Sequence, residues 1–298
     1  MKCERCSRKA VIELRYASKA YCERHFVDYY EKRVKRTITK NKMLRRNEKI
    51  AVGVSGGKDS MCMLYLLHKM GYNIEAILID EGIKGYRNKT IPYVEKLCKK
   101  LKVPLHIYSF KKEFKNTVDD IVKKKPGLSC SYCGVLRRRL LNNAARDIHA
   151  DKLAIGHNLD DEAQMILMNL FRSELIRLAR AGPVVGLVDN KKFVHRAKPL
   201  RECLERENVA YALINGIEYD DIECPYAKDA YRNSVREALN TLEEKQPGAK
   251  IGCLHSFDKI MPILREHFED SGTPNECVKC GELTSGNICK ACQMLDEL

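Results

Sequence analysis

Three groups of residues in this chain have the types and spacing to do chemistry. Cys3, Cys6, Cys22 and His25 form C-x2-C-x15-C-x2-H, and Cys277, Cys280, Cys289 and Cys292 form C-x2-C-x8-C-x2-C. Zinc takes four tetrahedral nitrogen or sulfur ligands, and a two-residue gap lets one tight turn supply two of them. Each set therefore reads as a structural zinc module with no coordination position left open for catalysis. The second group is Cys130 and Cys133, another C-x2-C, together with Cys224 in Glu223-Cys224-Pro225-Tyr226. Three thiolates without a clear fourth suit a cubane iron–sulfur cluster with one open iron, a zinc with an exogenous ligand, or a disulfide and persulfide relay. Spacing does not choose among these, nor does it exclude an inert turn beside an unrelated core cysteine. The third group is Ser55-Gly56-Gly57-Lys58-Asp59-Ser60. Backbone amides at a strand-to-helix junction attract phosphate, and two glycines let the chain turn tightly and approach an anion. The loop is not a Walker A motif, because Val52 stands where the first glycine belongs and Asp59 replaces Ser/Thr. Further on, Asp160 and Asp161 in Gly156-His157-Asn158-Leu159-Asp160-Asp161-Glu162 could hold a metal or orient a nucleophile. They could equally cap the next helix, as Asp160 is expected to do.

These groups need elements to position them. A basic helix is expected over Val27–Arg46, then a buried strand over Lys49–Val54 and a helix over Lys58–Lys69 stopped by Gly71. Ile74–Asp80, Leu105–Tyr108 and Lys152–Gly156 read as further strands, alternating with helices over Pro92–Leu101, Arg137–Ile148 and Asp160–Leu178. Gly182–Lys198 shows no periodicity, Ala210–Ile214 reads as a fifth strand, and Lys228–Glu244 and Phe257–Phe268 read as helices. The pattern predicts an α/β fold, a parallel five-stranded sheet with helices on both faces. Loops at the carboxyl ends of such strands line the ligand crevice. The expected organisation is a zinc module over 1–26, a basic helix over 27–47, a catalytic domain over 48–271 and a second zinc module over 272–298.

The loop SGGKDS resembles the signature of the PP-loop ATP pyrophosphatases. With SCSYCGVLRRRLLN, GHNLDDEAQ, ECPY and the two terminal metal patterns, essentially the whole chain resembles the tRNA 2-thiolation proteins of the TtcA/TtuA/NcsA group. The terminal modules point to the TtuA and archaeal/eukaryal branch. The resemblance implies a PP-loop (HUP-like) domain that binds ATP with magnesium through Val54, Ser55, Gly57, Lys58, Ser60, Ile79, Asp80 and Gly156. It implies a 4Fe–4S cluster on Cys130, Cys133 and Cys224, and places Asp59, Asp161 and Arg137 around the adenylated intermediate. Arginine is a poor base, so Arg137 is given an electrostatic role only. The implied reaction adenylates the C2 oxygen of a tRNA uridine, at the wobble position or in the T-loop, and replaces that oxygen by sulfur. The sulfur donor would be free sulfide or a thiocarboxylated ubiquitin-like carrier, and the protein is expected to be a cytoplasmic homodimer.

Charge agrees with a polyanionic partner. Lys plus Arg number 54 against 40 Asp plus Glu, a net +14. Lys32, Arg33, Lys35, Arg36, Lys40, Lys42, Arg45 and Arg46 form the densest basic run, with Lys123–Lys125, Arg172, Arg177 and Arg180 adding to it. Such charge gives phosphate affinity without sequence choice, although any one run can be a solvated helix face. Tyr29 and Tyr30 could stack on bases or belong to the core. No apolar run reaches membrane-spanning length, so no membrane role is expected. Cys62, Cys98, Cys203 and Cys253 read as buried small hydrophobes. Two other functions compete: a PP-loop amidating ligase, which would not need the central cysteines, and a zinc-containing RNA-binding adaptor that only senses ATP.

Overall fold

The computed structural model describes residues 1–185, 192–227, 231–268 and 275–298. A short hairpin, β1 (Ile12–Leu14) and β2 (Lys19–Tyr21), leads into the long helix α1 (Glu23–Lys40). Strand β3 (Lys49–Val54) then starts a regular alternation: α2 (Lys58–Lys69), β4 (Asn73–Asp80), α3 (Arg87–Leu101), β5 (Leu105–Ser109). Three helices follow, α4 (Phe110–Phe114), α5 (Val118–Lys124) and α6 (Ser129–Asp147), before β6 (Lys152–Ile155). Next come α7 (Leu159–Phe171), α8 (Leu175–Ala179), β7 (Val184–Val185), β8 (His195–Ala197), α9 (Glu205–Ile214), α10 (Arg232–Lys245) and α11 (Ala249–His267). The chain finishes with a small hairpin, β9 (Asn275–Glu276) and β10 (Leu283–Thr284), and α12 (Lys290–Asp296).

The central sheet has the order β5-β4-β3-β6-β8-β7. Five of its strands run parallel, and the two-residue β7 adds an antiparallel edge. The β3 side chains explain the layers. Ile50, Val52 and Val54 join α1, α2, α3 and α9 in one core, and Ala51 joins α4, α5, α6 and α12 in the other. Successive residues of a strand point to opposite faces, so a strand covered on both sides reads as a continuous apolar run.

The fifth parallel strand is not where the sequence puts it. Ala210–Ile214 lies in helix α9, and β8 supplies the fifth strand from within the stretch that shows no periodicity. An apolar run of this length suits a strand or a buried helix turn equally. Here Glu207 decides, because its carboxylate accepts from the Leu204 backbone amide (2.7 Å) and closes the first turn. Strand β8 is His-Arg-Ala, three residues with nothing periodic to read. The basic helix starts earlier and ends sooner than expected, at Glu23 and Lys40, and the expected Asp160–Leu178 helix breaks into α7 and α8. Residues 228–230 of the expected Lys228–Glu244 helix, and the expected domain boundary at 271/272, lie outside the described residues.

One buried ion pair ties α1 to the sheet layer. Arg33 donates to Glu207 at 2.5 Å, with side chains 5% and 0% exposed. Tyr16, from the N-terminal module, donates to the same carboxylate at 2.7 Å. Removing one partner of such a pair strands the other charge in the core. Glu207→Ala should therefore cost about 3–5 kcal/mol in urea unfolding. The double variant Arg33→Met, Glu207→Leu should recover most of that loss, and an equal loss in both would show that the stranded charge is not the cause.

Candidate functional site

The Ser55–Ser60 loop leaves the carboxyl end of β3 and enters α2, with Gly57 as the N-cap in extended conformation. Its hydroxyls knit it together. Ser60 Oγ donates to the Gly57 carbonyl (2.9 Å) and accepts from the Ser55 amide (3.1 Å), while the two serine oxygens lie 3.2 Å apart. Gly56 has φ +85°, and a Cβ there would fall 2.7 Å from Thr90 Cβ and 2.8 Å from the Thr90 carbonyl oxygen. Gly156, at the end of β6, brings backbone against backbone: its Cβ would meet the Ser60 nitrogen at 3.0 Å. Both glycines are thus required by close approach. Arg87 braces the loop from α3, donating to the Ser55 carbonyl (2.6 Å) and to Thr90 Oγ1 (3.0 Å).

Asp59 sits in the first turn of α2. Burial pushes its carboxyl up to about 6, against the amide donors Asn208 (2.6 Å) and Asn158 (3.2 Å). Asn158 also ties in Asp161, accepting from the Asp161 amide (3.0 Å), while Asp161 accepts from the Asn158 amide (3.2 Å). The cap of α7 is therefore Asn158 with Asp161. Asp160 does not cap it. Asp160 instead pairs with the Lys250 ammonium and accepts from the Glu205 amide at 2.8 Å. Burial raises Asp161 above the usual carboxylate range, opposed first by Arg232, whose guanidinium lies 2.9 Å away. Val54, the last residue of β3, and Ile79, next to the last of β4, are buried. Asp80 folds onto the next turn and accepts from the Gly82 amide (2.8 Å). The Lys58 ammonium pairs with Glu205 at 2.7 Å.

Cys130 and Cys133 lie in the first turns of α6, and Cys224 lies in the loop between α9 and α10. Cys130 Sγ contacts the Tyr226 carbonyl (3.6 Å), two residues after Cys224. The same loop reaches the phosphate loop, where the Asp220 amide donates to the Gly56 carbonyl (3.0 Å). One loop thus joins the cysteine trio to the SGGKDS turn. Burial pushes the Cys133 thiol up to about 11, with Arg137 opposing. Arg137 extends toward buried Glu81 (3.6 Å), which is itself held by Arg87 at 2.7 Å. Glu81, Arg87 and Asn208 are absent from the sequence reading, and Asn158 has no role of its own in it. Asn158 stands inside the quoted GHNLDDEAQ, whereas the partners of the other three are set by the fold.

The terminal sets are closed. Within each, the ligand atoms lie within 4.8 Å of one another. Cys6 and Cys22 sulfurs are 3.8 Å apart and Cys280 and Cys289 sulfurs 3.7 Å apart, close to the sulfur spacing of about 3.8 Å that a tetrahedral ion with bonds of about 2.3 Å imposes. His25 Nδ1 approaches Cys3 Sγ at 3.2 Å and Cys22 Sγ at 3.6 Å. The Cys289 backbone amide at 3.3 Å leads the hydrogen bonds that bring Cys277 down to about 6, favouring the thiolate that a metal needs. Of the basic run on α1, Lys32, Lys35, Arg36 and Lys40 face solvent, but Arg33 does not, because Glu207 holds it in the core. Tyr30 is fully buried and Tyr29 stacks on Tyr21 at a centroid distance of 5.2 Å, so both serve packing.

Residues 28–243 match the model of the PP-loop domain, and residues 2–27 match that of the N-terminal LIM domain of the 2-thiouridine synthetase TtuA. The chain is 42% identical over 98% of its length to the tRNA-5-methyluridine(54) 2-sulfurtransferase of Pyrococcus horikoshii, covering 93% of that protein. It is 34% identical over its whole length to the tRNA 2-thiolation protein NcsA of Haloferax volcanii, covering 99% of it. The chain belongs to the PP-loop tRNA 2-thiolation family. The structure of the U34-tRNA thiolase NcsA from Methanococcus maripaludis, described with its [4Fe-4S] cluster, superposes with a TM-score of 0.85 at 33% identity, covering all of this chain and 96% of that one.

That neighbour carries a [4Fe-4S] cluster, and the spread of the three central cysteines here suits such a group rather than a single ion. Among the described residues, only the two terminal sets close to within 4.8 Å, so the trio is spread more widely than ligands of one metal. Sulfurs on different irons of a cubane stand further apart than sulfurs on one zinc. Cys133 and Cys224 are half-buried against the apolar core beside α6, and Cys130 is exposed.

Metal analysis of the purified protein should return one zinc at each terminal set. Cys3→Ser and Cys277→Ser should each remove one zinc and lower the melting temperature, because metal binding is folding energy in such modules. A folded, zinc-free protein would contradict this. Gly56→Ala should reduce ATP-dependent AMP formation by about a hundredfold, since displacement of the phosphate loop by an ångström has that scale of effect. Unchanged turnover would show that the close contact with Thr90 does not matter.

Proposed function

We propose that this protein is an ATP-dependent tRNA uridine 2-sulfurtransferase. The observation that carries the reading is the 217–226 loop, which contacts the ATP-type loop at Gly56 and the cysteine pair at Cys130. Activation and sulfur delivery would then share one crevice at the carboxyl edge of the sheet. The names of the relatives agree with it.

In this reading the amides of Lys58 to Ser60, at the positive end of α2, hold the phosphates of ATP. Ser55 adds a hydroxyl, Ser60 holds the turn that presents it, and the ends of β3 and β4, at Val54, Ile79 and Asp80, border the adenosine. The uridine C2 oxygen attacks the α-phosphorus, and pyrophosphate leaves toward the helix end. Asp59 and Asp161, joined through Asn158, orient the reacting phosphate with its magnesium. Sulfur equivalent to hydrosulfide then adds at C2, and the C–O bond breaks to release AMP carrying the former uridine oxygen. A cubane on Cys130, Cys133 and Cys224 would supply an iron without a protein ligand, where sulfur can bind. Arg137 adds positive charge beside it, steadied by Glu81.

The exposed Lys32, Lys35, Arg36 and Lys40 support tRNA binding through α1. The expected homodimer is supported by exposed Ile176 on α8 and Ile260 and Ile263 on α11. Fourteen cysteines without a disulfide support a cytoplasmic setting. No helix among the described residues is long and apolar enough to cross a membrane.

Anaerobically purified protein, supplied with ATP, magnesium, sulfide and unmodified tRNA, should yield 2-thiouridine or its 5-methyl form by nucleoside mass spectrometry. Asp59→Ala should abolish AMP formation, and Cys224→Ala should abolish thiolation and lose iron. An iron-free protein that still thiolates would remove the cluster. A Cys224→Ala variant that keeps full ATP-dependent turnover would favour an amidating ligase, and absence of tRNA-dependent AMP would favour an adaptor.

A further inference from the structure

Helix α9 carries two adjacent, fully buried polar residues, Glu207 and Asn208. Glu207 is accounted for by Arg33, Tyr16 and the Leu204 amide. Asn208 faces the other way, toward the phosphate loop. Its Nδ2 donates to Asp59 Oδ1 at 2.6 Å, and its Oδ1 accepts from the Tyr30 hydroxyl at 2.6 Å. A buried hydroxyl must find an acceptor, so Tyr30 turns the amide oxygen toward α1 and leaves the NH2 to face Asp59. The Asn208 carbonyl also accepts from the Cys62 thiol (3.3 Å), fastening α9 to α2.

Asp59 Oδ1 therefore receives two amide donors, from Asn208 and Asn158, while Oδ2 accepts no hydrogen bond among the described residues. Lys58, the nearest cation along the chain, is engaged by Glu205. With Oδ1 fixed from two sides, rotation of the carboxylate is blocked. We propose that Asn208 is a positioning residue of the sulfurtransferase, oriented by Tyr30, which fixes the Asp59 carboxylate so that Oδ2 is presented to the bound nucleotide. The inference rests on the reading of Asp59 as part of the adenylation site. It also connects that site to α1, the helix whose outer face carries the basic residues.

The test is tRNA-dependent AMP formation by the full-length, metal-loaded protein. Asn208→Leu fills the space without a donor, and Asn208→Asp keeps the shape but loses the donor. Each should lower kcat by about tenfold or more, the scale of one lost charge-assisted hydrogen bond, with KM for ATP within about twofold of wild type. Tyr30→Phe should act in the same direction but more weakly. Glu207→Gln is the structural comparison: it loosens the same helix without touching Asp59, so it should lower the melting temperature and leave kcat unchanged well below it. Wild-type kcat in both Asn208 variants, or a kcat loss no greater than that of Glu207→Gln at equal loss of melting temperature, would overturn the inference. Absence of AMP formation by the wild type would instead overturn the functional reading beneath it.

Discussion

The amino end of α2 is the constraint on which the rest of this structure depends. Unpaired amides at a helix start present partial positive charge to an anion only if no protein oxygen fills the space first. Here Gly57 is the cap and offers no side-chain acceptor, so the end stays open. The neighbouring contacts then serve to hold that end still. Arg87 grips the Ser55 carbonyl, Thr90 presses against Gly56, and the end of β6 comes within backbone contact at Gly156. Any side chain at either glycine would push one of these supports away.

Two routes lead outward from that helix end. One runs through the 217–226 loop to the central cysteines, and a parallel one runs through Arg87 and Glu81 to Arg137 beside Cys133. The other runs through Asn208 to Tyr30, and from the adjacent Glu207 to Arg33 and Tyr16 of the N-terminal module. The C-terminal module docks on α6 from the far side, where Tyr132 donates to Glu297 (2.5 Å) and Arg139 reaches Cys292 Sγ (3.5 Å). Both terminal metal sets thus buttress helices that carry site residues, which fits a structural rather than a catalytic use of those ions.

The legible parts of the sequence were those whose signals are local. Helix α2 has a glycine at each end and spans the residues its pattern predicts, and the ligand spacings of the terminal sets match the two groups the fold brings together. What failed depended on distant partners. The Ala210–Ile214 run looks like a strand until Glu207 is seen closing a helical turn before it. Arg33 looks like one more charge in a basic run, but its partner lies 174 residues away. Strand β8 is too short to show a period and exists because β6 offers it an edge. Asp161 has the chemistry of a site residue, yet one of the two hydrogen bonds its carboxylate accepts belongs to the capping box with Asn158. Glu81 and Asn208 carry no motif: Glu81 follows the end of β4 and meets Arg87 of α3 and Arg137 of α6 only in the fold, and Asn208 is brought to Asp59 by the packing of α9.

The central claim is that ATP activates the C2 oxygen of the uridine, so that this oxygen departs with AMP. The most direct measurement places a heavy-oxygen label at C2 of the target uridine and follows it by mass spectrometry through one anaerobic turnover. The account predicts that every thiolated uridine is matched by an AMP bearing the label on its phosphate. Thiolated tRNA formed with unlabelled AMP would contradict it.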